Sequence, residues 1–323
     1  MKISIAMCTY NGAEFLPAQL QSILGQSRPP DEIVICDDGS TDQTTTLLEK
    51  YASASSVPIK IHVNQKNLGT IKNFEQAIAM CTGDIIALSD QDDVWRNDKL
   101  QMIEDAFRNH PTAGLVFSDA EIVDKNLNPL NRRMWNEVGF DAHKRKLVRT
   151  GRALEVLITG WTVTGATMAF RSNFTKLSLP IPTDIAMIHD GWIALTIAAV
   201  APVVMLDEPL IKYRQHERQQ IGAPTRTQHA PAGIEAALRR RNNTADLHKI
   251  LTILADRLSA NAHLYDTRSA RSFVGNYSFH LNVRANLPQR RLNRVPGILR
   301  ELLSLRYHEY ANGFKSAAKD LVS

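Results

Sequence analysis

The chain has 323 residues, of which 44% are hydrophobic and 22% charged, with 16 glycines and 14 prolines. These proportions exclude a collagen-like, low-complexity or wholly disordered chain, and the length allows two domains around a large core. The formal net charge of +5 hides an asymmetry: residues 1–212 carry 20 Lys and Arg against 25 Asp and Glu, whereas residues 213–323 carry 18 against 8.

In chain order, Lys2-Ile3-Ser4-Ile5-Ala6-Met7-Cys8 reads as a buried strand, followed by a turn at Tyr10-Asn11-Gly12 and a helix through Phe15, Leu16, Leu20, Ile23 and Leu24. Glu32 to Cys36 is a second strand, stopped by Asp37-Asp38-Gly39-Ser40. Ser40-Thr41-Asp42 is a capping cluster for a helix through Leu47, Leu48 and Tyr51. Ile59 to Val63 alternates as a third strand. After Asn67-Leu68-Gly69, the residues Phe74, Ala77, Ile78 and Met80 mark another helix, and Asp84 to Ser89 a fourth strand.

Leu100, Ile103 and Phe107 lie at helical spacing, Gly114 to Ser118 reads as a strand, and Asp124 to Arg152 is a polar stretch. Leu154 to Ile158 reads as helix and Thr167 to Phe170 as strand; from about residue 230 the chain is amphipathic helix rich in Leu and Arg. Strands alternating with helices imply a Rossmann-like, mostly parallel, doubly wound α/β sheet. Such sheets bind ligands beyond the carboxyl ends of their strands, so the polar clusters at 9–11, 37–40 and 90–93 are expected to converge on one crevice.

Cys8, Cys36 and Cys81 form no CxxC pair and stand in apolar surroundings, so neither a disulfide framework nor a zinc site is expected, and a reducing cytosol is the simplest compartment. The amino terminus turns polar at Thr9, too soon for a signal-peptide core. The longest apolar run, Ile193 to Leu206, has 14 residues including Pro202, short of the ~20 that cross a bilayer.

Ser89-Asp90-Gln91-Asp92-Asp93 puts three carboxylates within four residues after an apolar strand, a costly arrangement unless solvent or a cation offsets it. Oxygen ligands of this kind suit Mg²⁺ or Mn²⁺ shared with a diphosphate. Asp37-Asp38 with Tyr10 suits hydrogen bonds to a base or ribose and stacking on a ring. His189-Asp190-Gly191-Trp192 and Tyr213-Arg214-Gln215-His216 add a carboxylate and an imidazole. Each cluster alone also has a plain structural reading: an acidic turn ahead of a helix near Arg96, a strand–turn–helix cap, a helix start, a structural histidine. Neither GxGxxG nor GxxxxGK[ST] occurs, so dinucleotide and P-loop sites lack their glycines.

Together, Ile5-Ala6-Met7-Cys8-Thr9-Tyr10-Asn11-Gly12, Ile33 to Asp42, Asn67-Leu68-Gly69 and Leu88 to Trp95 resemble the successive blocks of the family-2 inverting glycosyltransferases with the GT-A fold, in order and spacing over residues 1–220. His189-Asp190-Gly191-Trp192 and Tyr213-Arg214-Gln215-His216 are most similar to the bacterial rhamnosyltransferase-like branch. The resemblance implies a catalytic domain over 1–220 and a basic, mainly helical extension over 221–323. It implies that Tyr10 and Asp38 lie at the nucleobase, Lys72 and Asn73 beside the nucleotide and its phosphates, and Asp90 at the ribose or sugar. Asp92 would be the principal metal ligand of a DxD motif, with Asp93 behind it, and His216 would add a nitrogen ligand or contact the diphosphate. Asp190 matches the general base, and Gly165 and Trp192 would shape the acceptor side.

The chain departs from the commoner family pattern: His189 precedes Asp190 where that pattern has Glu, and no Gln-x-x-Arg-Trp block follows. Transfer of one sugar per visit is expected rather than processive synthesis. The donor implied is dTDP-rhamnose or a UDP-hexose, and the acceptor a hydroxyl of a glycan or lipid-linked molecule of cell-surface polysaccharide or lipopolysaccharide.

The basic tail, with Arg239-Arg240-Arg241, Arg290-Arg291 and Arg294 among Ile250, Leu251, Ile253, Leu254, Leu302 and Leu305, suggests peripheral contact with the inner face of the cell membrane. A solvated helical subdomain is the alternative. Sparse aromatics and no recognisable module argue against nucleic acid. A sugar-nucleotide nucleotidyltransferase and an inactive donor-binding module remain rival readings.

Overall fold

The computed structural model describes residues 1–217, 219 and 244–322, which form two compact units, one on either side of residues 220–243. The boundary between 220 and 221, and the run Arg239-Arg240-Arg241, lie outside the described residues.

The first unit is built on a nine-stranded sheet. In chain order it runs β1 (Ile3–Thr9), α1 (Leu16–Leu24), β2 (Glu32–Asp37), α2 (Thr44–Ala54), β3 (Ile59–Val63), α3 (Thr70–Met80), β4 (Ile85–Ser89), β5 (Val94–Trp95), α4 (Lys99–Asn109), β6 (Leu115–Val123) and β7 (Pro129–Arg133). Short helices α5 (Met134–Glu137), α6 (Ala142–Arg149) and α7 (Ala153–Leu157) follow, then β8 (Met168–Arg171), α8 (Thr175–Ser178), α9 (His189–Ala198) and β9 (Val203–Arg214). The sheet order is β3-β2-β1-β4-β8-β6-β9-β5, with β7 beside β6.

The βα repeats read from the sequence supply the parallel half, β3-β2-β1-β4; the apolar runs of β1, β2 and β4 are buried on both faces, while β3 at the edge alternates half-buried and exposed residues. Leu16, Leu20 and Ile23 of α1 are fully buried at helical spacing against Ile3, Ile5 and Met7. The other half is mixed. β8 runs antiparallel between β4 and β6, so β6, and with it parallel β9, points the same way as β4.

This topology places the site. The carboxyl ends of β1, β2, β4 and β9 and the residues entering β8 all lie at one edge of the sheet, which brings 9–12, 37–40, 89–93, 165 and 214–216 together from distant parts of the chain.

The opposite edge is stapled by Glu32. Its carboxylate accepts from Ser4 Oγ at 2.6 Å, Thr82 N at 2.6 Å, Thr82 Oγ1 at 2.8 Å and Lys60 Nζ at 2.7 Å. Burial alone pushes this carboxyl up, but the hydrogen bonds from Lys60, Ser4 and Thr82 outweigh it and hold it at about 2. Because the folded value lies below the ordinary ~4.3, the stapling is whole above that pH and is lost as pH falls towards about 2. Glu32→Gln is expected to cost about 1–3 kcal/mol at neutral pH and to flatten the acid limb of stability. Chemical denaturation at a series of pH values checks this, and an unchanged acid limb refutes it.

The second unit is helical. Ile250, Leu251, Leu254 and Leu258 of the helix Thr244–Ala260 are fully buried, with Val274 and Leu281 of the helix Arg268–Ala285 beside them. His280 Nδ1 lies 2.8 Å from Glu301 Oε2, both buried, and Arg306 meets the other oxygen of Glu301 at 2.9 Å.

Candidate active site

A cleft of about 570 Å³ opens at the carboxyl edge, a size suited to a small ligand. Of the residues expected at the site, Tyr10, Asp38, Asn73, Asp90, Asp92, Gly165, Asp190 and His216 line it. Lys72, Asp93 and Trp192 do not.

The β1 and β4 ends are clamped by a residue the sequence reading passed over. Gln91 accepts from Tyr10 N at 2.8 Å and donates to Tyr10 O at 3.0 Å. A Cβ at residue 12 would stand 2.1 Å from Gln91 Oε1, so the clamp requires Gly12. Tyr10 itself is 38% exposed, which leaves its ring open to stacking.

Asp38 is almost fully buried, and its carboxylate accepts from Leu68 N at 2.8 Å, Gly69 N at 2.9 Å and Asn64 Nδ2 at 2.9 Å. It folds the Asn67-Leu68-Gly69 loop onto the end of β2, with little acceptor capacity to spare for a base. Asn73 supports it from below, bonding Cys36 O at 2.8 Å and Asn64 at 2.9 Å. The expectation for Lys72 is corrected. One helical position along from Asn73, its ammonium turns away from the cleft and pairs with Glu75 at 2.9 Å.

The acidic block divides. Asp92 Oδ2 lies 2.8 Å from His216 Nε2 on the wall of the cleft. Asp93 is fully buried; its Oδ1 accepts from Arg214 N at 3.1 Å, while its Oδ2 has no partner. Asp93 thus faces the core behind Asp92 and does not line the cleft. Arg214 holds the loop by donating to Asp92 O at 2.6 Å, which gives Tyr213-Arg214-Gln215-His216 its structural reason. Burial, then the charges of the neighbouring carboxylates, push Asp90 and Asp93 up.

Beneath them lies Lys99, fully buried, its Nζ 2.6 Å from Ala166 O and 3.6 Å from the centre of the Trp95 ring. Burial pulls this amine down to about 7, while Asp93 and Asp90 act to keep it charged. Nothing in the sequence marks Lys99 as buried.

Asp190 stands in the first turn of α9, where the helix dipole favours a negative group. Its Oδ2 accepts from Gly165 N at 2.9 Å and Trp161 Nε1 at 3.3 Å, and its Oδ1 from Gly191 N at 2.6 Å. A Cβ at residue 165 would stand 3.0 Å from His189 Nε2, a tight contact that would make the buried imidazole give by a few tenths of an ångström. His189 stacks on Phe74 with ring centres 4.1 Å apart, and burial pulls it down to about 3, keeping it neutral. The expectation for Trp192 is corrected: it is fully buried, its Nε1 donates to Ser178 O at 2.8 Å, and the indole at the cleft beside Asp190 is Trp161.

The described residues contain no cluster of three or more His, Cys, Asp or Glu side chains placed to hold a metal ion. Asp92 and His216 nevertheless offer an oxygen and a nitrogen donor together, beside buried carboxylates short of positive charge on the cleft side. That set fits Mg²⁺ or Mn²⁺, which completes its shell with phosphate oxygens and water.

Residues 4–176 match Glycosyl transferase family 2. The chain belongs to that family. An uncharacterized glycosyltransferase of Nostoc sp. is 28% identical over 246 residues, 75% of this chain and 74% of its own. Chondroitin synthase of Escherichia coli is 32% identical over 39% of this chain, and this transferase spans only 18% of that protein. Among solved structures, residues 1–349 of Staphylococcus aureus TarS in complex with UDP-GlcNAc superpose with a TM-score of 0.58 at 15% identity, covering 99% of this chain and 91% of that one. A mannosyltransferase of Pyrobaculum calidifontis in complex with GDP-Man and Mn²⁺ gives 0.50 at 18% identity over 87% and 80%. These likenesses establish the GT-A fold for the transferase.

Proposed function

We propose that the transferase moves one sugar at a time, with inversion, from a nucleoside-diphosphate donor to a hydroxyl of a glycan or lipid-linked acceptor. The donor proposed is dTDP-rhamnose or a UDP-hexose. The setting is cell-surface polysaccharide synthesis, lipopolysaccharide included, on the cytoplasmic side of the membrane. The observation that carries this is the meeting, in one cleft, of the Asp92–His216 pair with Asp190, whose carboxylate is held by Gly165 and Trp161. A teichuronic acid biosynthesis glycosyltransferase of Bacillus subtilis, 28% identical over 40% of this chain, supports the polysaccharide setting, as does the chondroitin synthase match.

In this mechanism Tyr10 stacks on the base, and the loop that Asp38 draws in closes that end of the cleft. Asp92 with His216 would hold Mg²⁺ or Mn²⁺, which when bound offsets the charge gathering on the departing diphosphate. Asp190 takes the proton of the acceptor hydroxyl at a carboxylate oxygen as the hydroxyl oxygen attacks the anomeric carbon from the face opposite the diphosphate, whose bond to that carbon breaks. The N–H groups of Gly165, Gly191 and Trp161 fix its direction and stabilise it while charged. Trp161, half-exposed beside it, offers the acceptor sugar a face to pack on.

A thermal-shift screen of sugar nucleotides with and without Mn²⁺ identifies the donor, since a ligand of the folded state raises the midpoint. Transfer is then followed by release of the nucleoside diphosphate with acceptor present. Release of pyrophosphate from a nucleoside triphosphate and a sugar 1-phosphate instead points to a nucleotidyltransferase. Donor binding with no release points to an inactive binding module.

A further inference from the structure

The helix Arg291–Leu303 is apolar on two faces, and only one is used inside its unit. On the inner face Ile298 packs with Tyr307 and Ala317, flanked by Leu287 and Leu302. On the outer face Leu292, Leu299 and Leu303, spaced by seven and four residues, form one stripe, and they are 85%, 51% and 85% exposed. Leu305 and Phe314 extend the apolar surface, 58% and 71% exposed. Leu305 is also held at φ 61°, a left-handed conformation unusual for a branched side chain.

The exposed charged side chains on the stripe's own helix are all basic, and the exposed acid Glu309 lies a turn beyond Leu305. Arg290, Arg291 and Arg300 are exposed, as are Lys315 and Lys319 of the helix Phe314–Val322. The helix's own acid, Glu301, is 1% exposed and bound to His280 and Arg306. Asp320 is likewise engaged by Arg284 at 2.6 Å and Tyr307 at 2.8 Å. Ile250, Leu251 and Leu254, which the sequence offers equally as candidates for such a surface, are spent in the core of the unit. Arg294 also turns inward, onto Pro288 O and Asp320 O.

We propose that the face formed by Leu292, Leu299, Leu303 and Phe314 with Arg290, Arg291 and Arg300 docks on an anionic lipid bilayer, the leucines seated among the acyl chains and the arginines at the headgroup phosphates. Exposed aliphatic side chains rimmed by five cations, with Glu301 and Asp320 engaged inside and Glu309 the exposed acid nearby, complement that surface on both counts, whereas a protein partner would need acids matched one by one. No described helix is long and apolar enough to cross the membrane, so the contact is peripheral. It deepens the functional reading, since a lipid-linked acceptor would be met where it resides, but its test needs no catalysis.

Flotation of the full chain with vesicles of phosphatidylcholine alone, and of phosphatidylcholine mixed with phosphatidylglycerol, is the experiment. The wild type is expected to float with the mixed vesicles and to detach as salt rises. Arg290→Gln/Arg291→Gln/Arg300→Gln is expected to weaken binding about a hundredfold, at roughly fivefold per basic residue. Leu292→Gln/Leu303→Gln should abolish it while leaving circular dichroism and nucleotide-sugar turnover unchanged, because both side chains are exposed. A wild type that stays unbound to either vesicle, or variants that float as well as it does, overturns the proposal. A concentration-dependent dimer that Leu303→Gln converts to monomer also overturns it, by assigning the stripe to a second copy of the chain.

Discussion

Asp190→Asn is expected to bind nucleotide sugar as the wild type does and to transfer it about 10²–10⁴-fold more slowly. The amide fills the same volume, and one of its groups can still accept from Gly165 N and Trp161 Nε1. What it cannot do is take a proton. The loss therefore falls on kcat, with donor affinity spared, which is the signature of an interaction made only in the transition state. Calorimetry of donor binding beside a nucleoside-diphosphate release assay separates the two quantities. An Asn variant that turns over near the wild-type rate removes Asp190 from the base role.

Asp92→Ala is expected to act on binding instead. Its carboxylate and the His216 imidazole, 2.8 Å apart, are the donor pair that fits a divalent cation. Removing a first donor should cost at least the roughly 10–100-fold that loss of an outer supporting group costs a metal site. Titration of donor with and without Mn²⁺ should show the Mn²⁺-dependent gain of the wild type and none in the variant. Equal gains in both, or wild-type turnover undiminished in excess EDTA, would dismiss the cation from this pair.

The parallel half of the sheet was legible because β1, β2 and β4 are buried on both faces and so read as apolar runs, and the edge strand β3 as an alternation, with helices at their own period between them. β7 was not. Its five residues, Pro129 to Arg133, are mostly exposed and carry no alternation, and only pairing with β6 makes them a strand. Within the site, the residues at strand ends were readable because strand order alone decides where they go. The failures concern side-chain direction, which strand order does not decide. Lys72 and Asn73 are neighbours on one helix, so their side chains diverge, and only Asn73 reaches the cleft. Trp192 and Trp161 are alike in type. The first follows Asp190 by two positions, which on a helix turns it towards Ser178 and the core, while the second arrives from a separate segment. Asp38 lines the cleft, but its carboxylate is engaged by Asn64, Leu68 and Gly69, contacts that the sequence does not show.

Lys99 lies under the cleft as a buried amine whose charge is finely balanced, pulled down to about 7 by burial while Asp93 and Asp90 act to keep it. Its amine faces Asp90 and Asp93 from the core side and grips Ala166 O, next to the glycine whose N–H steadies Asp190. These groups are thus set side by side at folding, in a dry interior where the charge on one is felt by the others. The cost of burying them falls on the folded protein, and engineering for heat tolerance that removed the Lys99 amine would also take away a cation that opposes the upward push on Asp90 and Asp93.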